Sequence, residues 1–148
     1  MYQRILVATD GSELSEQAVT SAIDLAALTH AELFAVKVVR HHTSGYFDGS
    51  MLLNQMEANR LQDQANTDAQ RIVDRVKEKA RAQGVESAQG LVMHSELVSE
   101  AIIEAARTHQ CDLIVMASHG RSGIRRLLMG SETMHVLTHS HTPVLVLR

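Results

Sequence analysis

A doubly wound α/β domain, one sheet of five parallel strands with helices on both faces, is the fold this sequence predicts. Three observations lead there. Five short apolar runs, at residues 5–8, 33–39, 85–93, 113–117 and 144–147, are separated by helical patterns; the central ones lack the alternation of a half-exposed strand, which suits strands covered on both sides. No two-residue turn joins one run to the next, so hairpins are not expected and the crossovers make the strands parallel. The chain has 148 residues, 45% of them hydrophobic, which suits a single domain over residues 1–148 with one core.

In chain order, Ile5–Ala8 forms the first strand and stops at Asp10-Gly11-Ser12, a turn signal. Ser12 caps a helix running to about Thr29, whose stripe is Ala18, Val19, Ala22, Ile23, Leu25 and Ala26. The valine-rich run Leu33–Val39 is the second strand. His41–Ser50 is a polar, glycine-containing break and is expected to be a mobile loop over the site. From Leu52 a long amphipathic helix follows, marked by Leu61, Ala65, Ala69, Ile72, Val76 and Ala80 and ended by Gly84 at its C′ position. Val85–Met93, interrupted by polar residues, reads as an edge strand. Ser95 then caps a helix carrying Val98, Ala101, Ile102, Ala105 and Ala106. Leu113–Ala117 is the fourth strand, a helix from Ser131 to His139 carries Met134 and Leu137, and Pro143 opens the last strand.

The chain is organised around residues 111–133, CDLIVMASHGRSGIRRLLMGSET. A buried strand empties there into Ser118, His119, Gly120, Arg121, Ser122 and Gly123, which offer backbone N–H groups, hydroxyls and a cation where open α/β sheets bind ligands. Gly130 and Ser131 supply a sharp turn and an N-cap, opening a helix whose first N–H groups could hold an anion. Arg121 lies inside this loop, where a guanidinium fork matches phosphate oxygens; Arg125 and Arg126 fit a solvated face equally well. Asp10 ends the first strand beside the same loop if strands one and four flank the switch point. Its alternative is a plain turn residue.

Gly120, nine residues and then Gly130-Ser131 resemble the G-x2-G-x9-G-[S/T] signature of the universal stress protein family, in its ATP-binding type. The likeness continues in the ILVATDGS start, the apolar second strand and the PVLVL finish. It implies the strand order 3-2-1-4-5, with ATP or a related adenine nucleotide, with or without Mg²⁺, at the ends of strands one and four. By that resemblance Thr9, Asp10 and Val38 meet the nucleoside, Ala117, His119 and Gly120 the ribose and phosphate side, and Gly130, Ser131 and Thr133 the phosphates. It also implies a homodimer through strand 143–147. The run Val144, Leu145, Val146, Leu147 is apolar on both faces, as such a seam requires. Two departures stand out. Ala117 replaces the first glycine of the signature, which is expected to weaken binding without abolishing it, and Glu132 puts a carboxylate where the family is usually uncharged.

Other chemistries find little support. Net charge is −3, from 14 basic and 17 acidic residues, so no overall basic field favours nucleic acid. One cysteine, Cys111, makes no intrachain disulfide, no apolar run approaches membrane length, and no signal segment is seen, so a cytoplasmic location is expected. Nine histidines include His135 and His139 at helical spacing with His141 nearby, but position 136 is Val where an HExxH motif needs other company, and a surface role covers them. Adjacent Ser118 and His119 do not form a nucleophile and its base, and neither G-x4-G-K-[ST] nor G-x-G-x-x-G occurs. No catalytic residue is assigned. The reading is a nucleotide-binding regulatory module of the stress response with a protein partner yet to be named. Its alternatives are a slow Mg²⁺-dependent ATPase, turning over below the usual range of roughly 1–10³ per second, and an interaction module of the same fold that binds no nucleotide.

Overall fold

The computed structural model describes residues 1–41, 51–120 and 129–148. The elements run β1 (Arg4–Ala8), α1 (Glu13–Thr29), β2 (Glu32–Val39), α2 (Met51–Ala82), β3 (Ala88–His94), α3 (Val98–Thr108), β4 (Leu113–Ala117), α4 (Ser131–His139) and β5 (Val144–Leu147). All strand pairs are parallel and the order is β3-β2-β1-β4-β5, as expected from the sequence and the resemblance.

Alternation along the central strands divides the core in two. Ile5, Val7, Leu33, Ala35, Leu113 and Val115 pack with Ala18, Ala22 and Ala26 of α1 and with Val76 and Ala80 of α2. The intervening Leu6, Phe34, Val36, Ile114 and Met116 face Ala101, Ile102 and Ala105 of α3 and Val136 of α4. All five residues of β4 are buried, which is why that run is apolar without a break.

Several boundaries differ from the sequence reading for physical reasons. Val85 does not begin β3: its N–H returns to Ala80 O across Gly84, whose φ is +87°, so the apolar residue closes the end of α2 and the strand starts at Ala88. Ser95 is not the cap of α3, because the capping position falls on Leu97, which has no suitable side chain; Ser95 Oγ instead accepts from Leu97 N–H at 3.0 Å. Gly130, not Ser131, is the N-cap of α4. That helix turns Thr133 and Val136 inward and leaves Met134 and Leu137, its expected apolar positions, 49% and 38% exposed.

Candidate functional site

Strands β1 and β4 are neighbours, yet the chain leaves β1 toward β2 on one side and β4 toward β5 on the other. Their C-terminal ends therefore splay into the crevice where such sheets bind ligands. A cleft of about 1060 Å³ opens there, comparable with the upper range of small-molecule sites.

On the β1 side the turn is built from hydroxyls. Ser12, extended at φ −71° and ψ 160°, caps α1 by accepting from Ser15 N–H. Ser15 Oγ donates to Ser12 O at 2.9 Å and lies 3.2 Å from Thr9 Oγ1, which also accepts from Gly11 N–H. Thr9 and Ser15 are buried, so the Thr9 hydroxyl braces the turn while the residue still lines the cleft. The Asp10 carboxylate reaches both its own turn and the β4 loop. Oδ1 accepts from Ser12 N–H at 2.9 Å, an Asx turn, while Oδ2 faces the backbone of Gly120 so closely that a Cβ there would lie 2.6 Å from it. Any side chain at residue 120 would collide with that oxygen.

On the β4 side the loop is pinned at both ends. Ser118 O accepts from Gly130 N–H at 2.7 Å, and the Thr133 hydroxyl, buried, donates to Ala117 O at 2.9 Å. A Cβ on Gly130 would meet Ser118 O at 3.3 Å and His119 Cα at 3.4 Å, tighter than ordinary contact, so this glycine permits a close backbone approach. Its φ is −63°, a value open to any residue, and left-handed geometry is not what it supplies. Intrahelical bonding in α4 starts with Met134 N–H to Gly130 O, and no side chain caps the helix. The N–H groups of Ser131, Glu132 and Thr133 thus precede the ladder, a seat suited to an anion.

Glu132, expected to repel a phosphate, is engaged elsewhere. Oε2 accepts from Ser99 N–H at 2.7 Å, in the first turn of α3, and Oε1 lies 3.4 Å from Arg40 at the end of β2. It serves as the side-chain cap that Leu97 cannot provide. Nothing in the sequence announced this bond between residues 33 positions apart, nor the Ser15 hydroxyl network.

The remaining expected positions fall in the same cleft. Val38, His119 and Ala117 line it beside Gly120, Gly130 and Ser131, with His119 Nδ1 3.1 Å from Ser118 Oγ. Arg121, Arg125 and Arg126, and the loop from residue 42 to Ser50, lie outside the described residues. Away from the cleft, His135 bonds Glu100 at 2.6 Å and stacks on His139 with ring centroids 4.0 Å apart; no group of three or more potential metal ligands occurs among the described residues. Buried Cys111 sits at the opposite end of β4, its thiol pushed up to about 11 by loss of water and then by Asp112. No helix among the described residues is long and apolar enough to cross a membrane.

A family model described as the universal stress protein family matches residues 1–148. The universal stress protein YxiE of Bacillus subtilis is 31% identical, with all of both chains covered. Among solved structures, universal stress protein UspA from Lactobacillus plantarum superposes with a TM-score of 0.85 at 25% identity, covering 99% of this chain and 98% of its own. A universal stress protein solved in complex with cAMP superposes at 0.69 with 28% identity, covering 98% and 95%.

Proposed function

The chain belongs to the universal stress protein family, and on that premise we propose that it is a cytoplasmic, homodimeric regulatory protein that binds ATP or a related adenine nucleotide. The observation that carries this is the start of α4, where Gly130 leaves the N–H groups of Ser131, Glu132 and Thr133 without a side-chain cap at the cleft, a seat suited to a phosphate; Gly120 and Gly130 let the loop close tightly on Asp10 and Ser118 O beside it. The related protein held with cAMP makes an adenine nucleotide the first class to test.

In this reading the N–H groups at the start of α4, with Ser131, receive phosphate oxygens. Asp10 accepts from the nucleoside, Val38 provides backbone polar groups and an apolar wall, and Ala117, His119 and Gly120 enclose the ribose and phosphate side. Thr133 acts through its backbone, since its hydroxyl is bound to Ala117 O. Mg²⁺, if carried on the nucleotide, would neutralise phosphate charge, and Asp10 is the carboxylate that would face it. Without a P-loop lysine or a named base the site is read as a holder of nucleotide, whose occupancy alters association with a protein partner.

In the same proposal the dimer forms through residues 143–147. β5 is an edge strand with Leu145 40% exposed, and Met134 and Leu137 of α4 add exposed apolar surface nearby in sequence. Mass spectrometry of small molecules released by denaturing freshly purified protein tests the ligand class. An adenine nucleotide at near-stoichiometric yield supports the proposal; protein that carries none and fails to bind added ATP or AMP refutes it.

A further inference from the structure

The cleft is wider than its phosphate loop, and the part beyond the loop carries charge of its own. Leu33 and Ala35 of β2 belong to the core shared with α1 and α2, so alternation places Lys37 on that face, opposite the one shared by α3 and α4. Lys37 lines the cleft there with Ala69 and Ile72 of α2, and Nζ donates to Val38 O at 3.0 Å, joining this half to the proposed nucleoside wall. Arg71 and Arg75, one helical turn apart on α2, line the same half.

Of the acids near these cations, Asp74 and Glu78 border Arg71 and Arg75 without forming an ion pair with either among the described residues. Glu16 is held by Lys79 at 2.5 Å. Asp68 meets Arg71 only at 3.4 Å, in a pair whose side chains are 55% and 66% exposed, a contact that water screens and a ligand could replace. Arg75 has no carboxylate partner among the described residues. The α4 seat and the arginines thus lie on opposite faces of the sheet's C-terminal edge, within one cleft.

We infer that Arg71 and Arg75 form a second anion seat, and that the preferred ligand is an adenine nucleotide carrying two separated phosphate groups, one at α4 and one at the α2 wall. This rests on the nucleotide-binding reading above. Guanidinium groups suit the task because they present paired donors to phosphate oxygens without losing charge.

The test compares AMP with adenosine 2′,5′- and 3′,5′-bisphosphate by calorimetry, in the unmodified protein and in Arg71→Gln/Arg75→Gln. Both positions are exposed on a long helix, so the variant should fold, and the ratio is taken within each protein so that changes in AMP binding itself cancel. At least one bisphosphate should bind about tenfold or more tightly than AMP, equivalent to about 1.4 kcal/mol, and the double variant should reduce that gain below about threefold. AMP binding with no gain from either bisphosphate overturns the second seat alone. A gain that survives in the variant overturns its assignment to α2. If neither AMP nor a bisphosphate binds, the second seat is overturned, and if ATP titrated in the same way also fails to bind, the underlying reading fails with it.

Discussion

Replacing Glu132 by Ala should destabilise the protein although the side chain is partly exposed, because its carboxylate ends a helix to which it does not belong. The Ser99 N–H that it accepts at 2.7 Å has no local substitute, since Leu97 occupies the cap position. Loss of a side-chain cap costs about 0.5–2 kcal/mol, and the negative charge at a helix N-terminus contributes about 0.3–1 kcal/mol of interaction within the same range of effects. The Arg40 contact adds little: at 3.4 Å, with side chains 60% and 40% exposed, it belongs with surface pairs worth about 0–1 kcal/mol. A net loss of about 1–2 kcal/mol follows for Glu132→Ala, which for a domain of this size lowers Tm by about 2–4 °C per kcal/mol. Glu132→Gln keeps an acceptor and should lose less than about 1 kcal/mol, and Arg40→Ala less than about 0.5 kcal/mol. Urea denaturation of the three variants decides. An unchanged midpoint for Glu132→Ala, or an Arg40→Ala loss as large as that of Glu132→Ala, would refute the capping argument.

Asp10→Asn keeps an oxygen for the Ser12 N–H but loses the charge, so it should weaken nucleotide binding by about 1–3 kcal/mol with little change in stability; an unaltered Kd would leave Asp10 as a turn residue only. Leu145→Lys puts a charge into the proposed seam at a position already 40% exposed, and should convert a dimer to a monomer in sedimentation without unfolding it. A dimer that persists, or an unmodified protein monomeric at micromolar concentration, would count against edge pairing. Cys111 has a folded pKa raised from 9.0 to about 11, so its contribution to stability is fully present below pH 9 and is lost as pH rises toward 11. The whole loss is at most about 2–3 kcal/mol, and Cys111→Ala should flatten this alkaline decline relative to the unmodified protein; an identical slope in both would exclude the thiol as its source.

The parts of the fold that local patterns specify were legible. The unbroken apolar run of β4, the Ser12 cap and the Gly84 helix end each follow from neighbours within a few residues. The glycine spacing at 120 and 130 marked the loop, but what Gly130 supplies there is visible only in the fold: with φ at −63°, it is the close approach to Ser118 that a larger residue would disturb. What failed depends on distant partners. Glu132 reads as an unwelcome charge until Ser99 is seen beside it, and the bond from the Thr133 hydroxyl to Ala117 O, between residues far apart in the chain, is equally hidden from local pattern. In α4, nine residues give too few turns for a stripe to be decisive, and the sheet selected Val136 and Thr133 over the larger Met134 and Leu137.

If the pinned glycine loop holds a nucleotide phosphate, titrating ATP into the unmodified protein and into Gly130→Val in a calorimeter will show it. The variant's φ of −63° is open to valine, so strain arises only where the new side chain meets Ser118 O and His119, and circular dichroism should report a folded protein. Saturable binding is expected for the unmodified protein, with a loss of about tenfold or more in the folded variant, about 1.4 kcal/mol or greater. Equal affinity in the two proteins would contradict it.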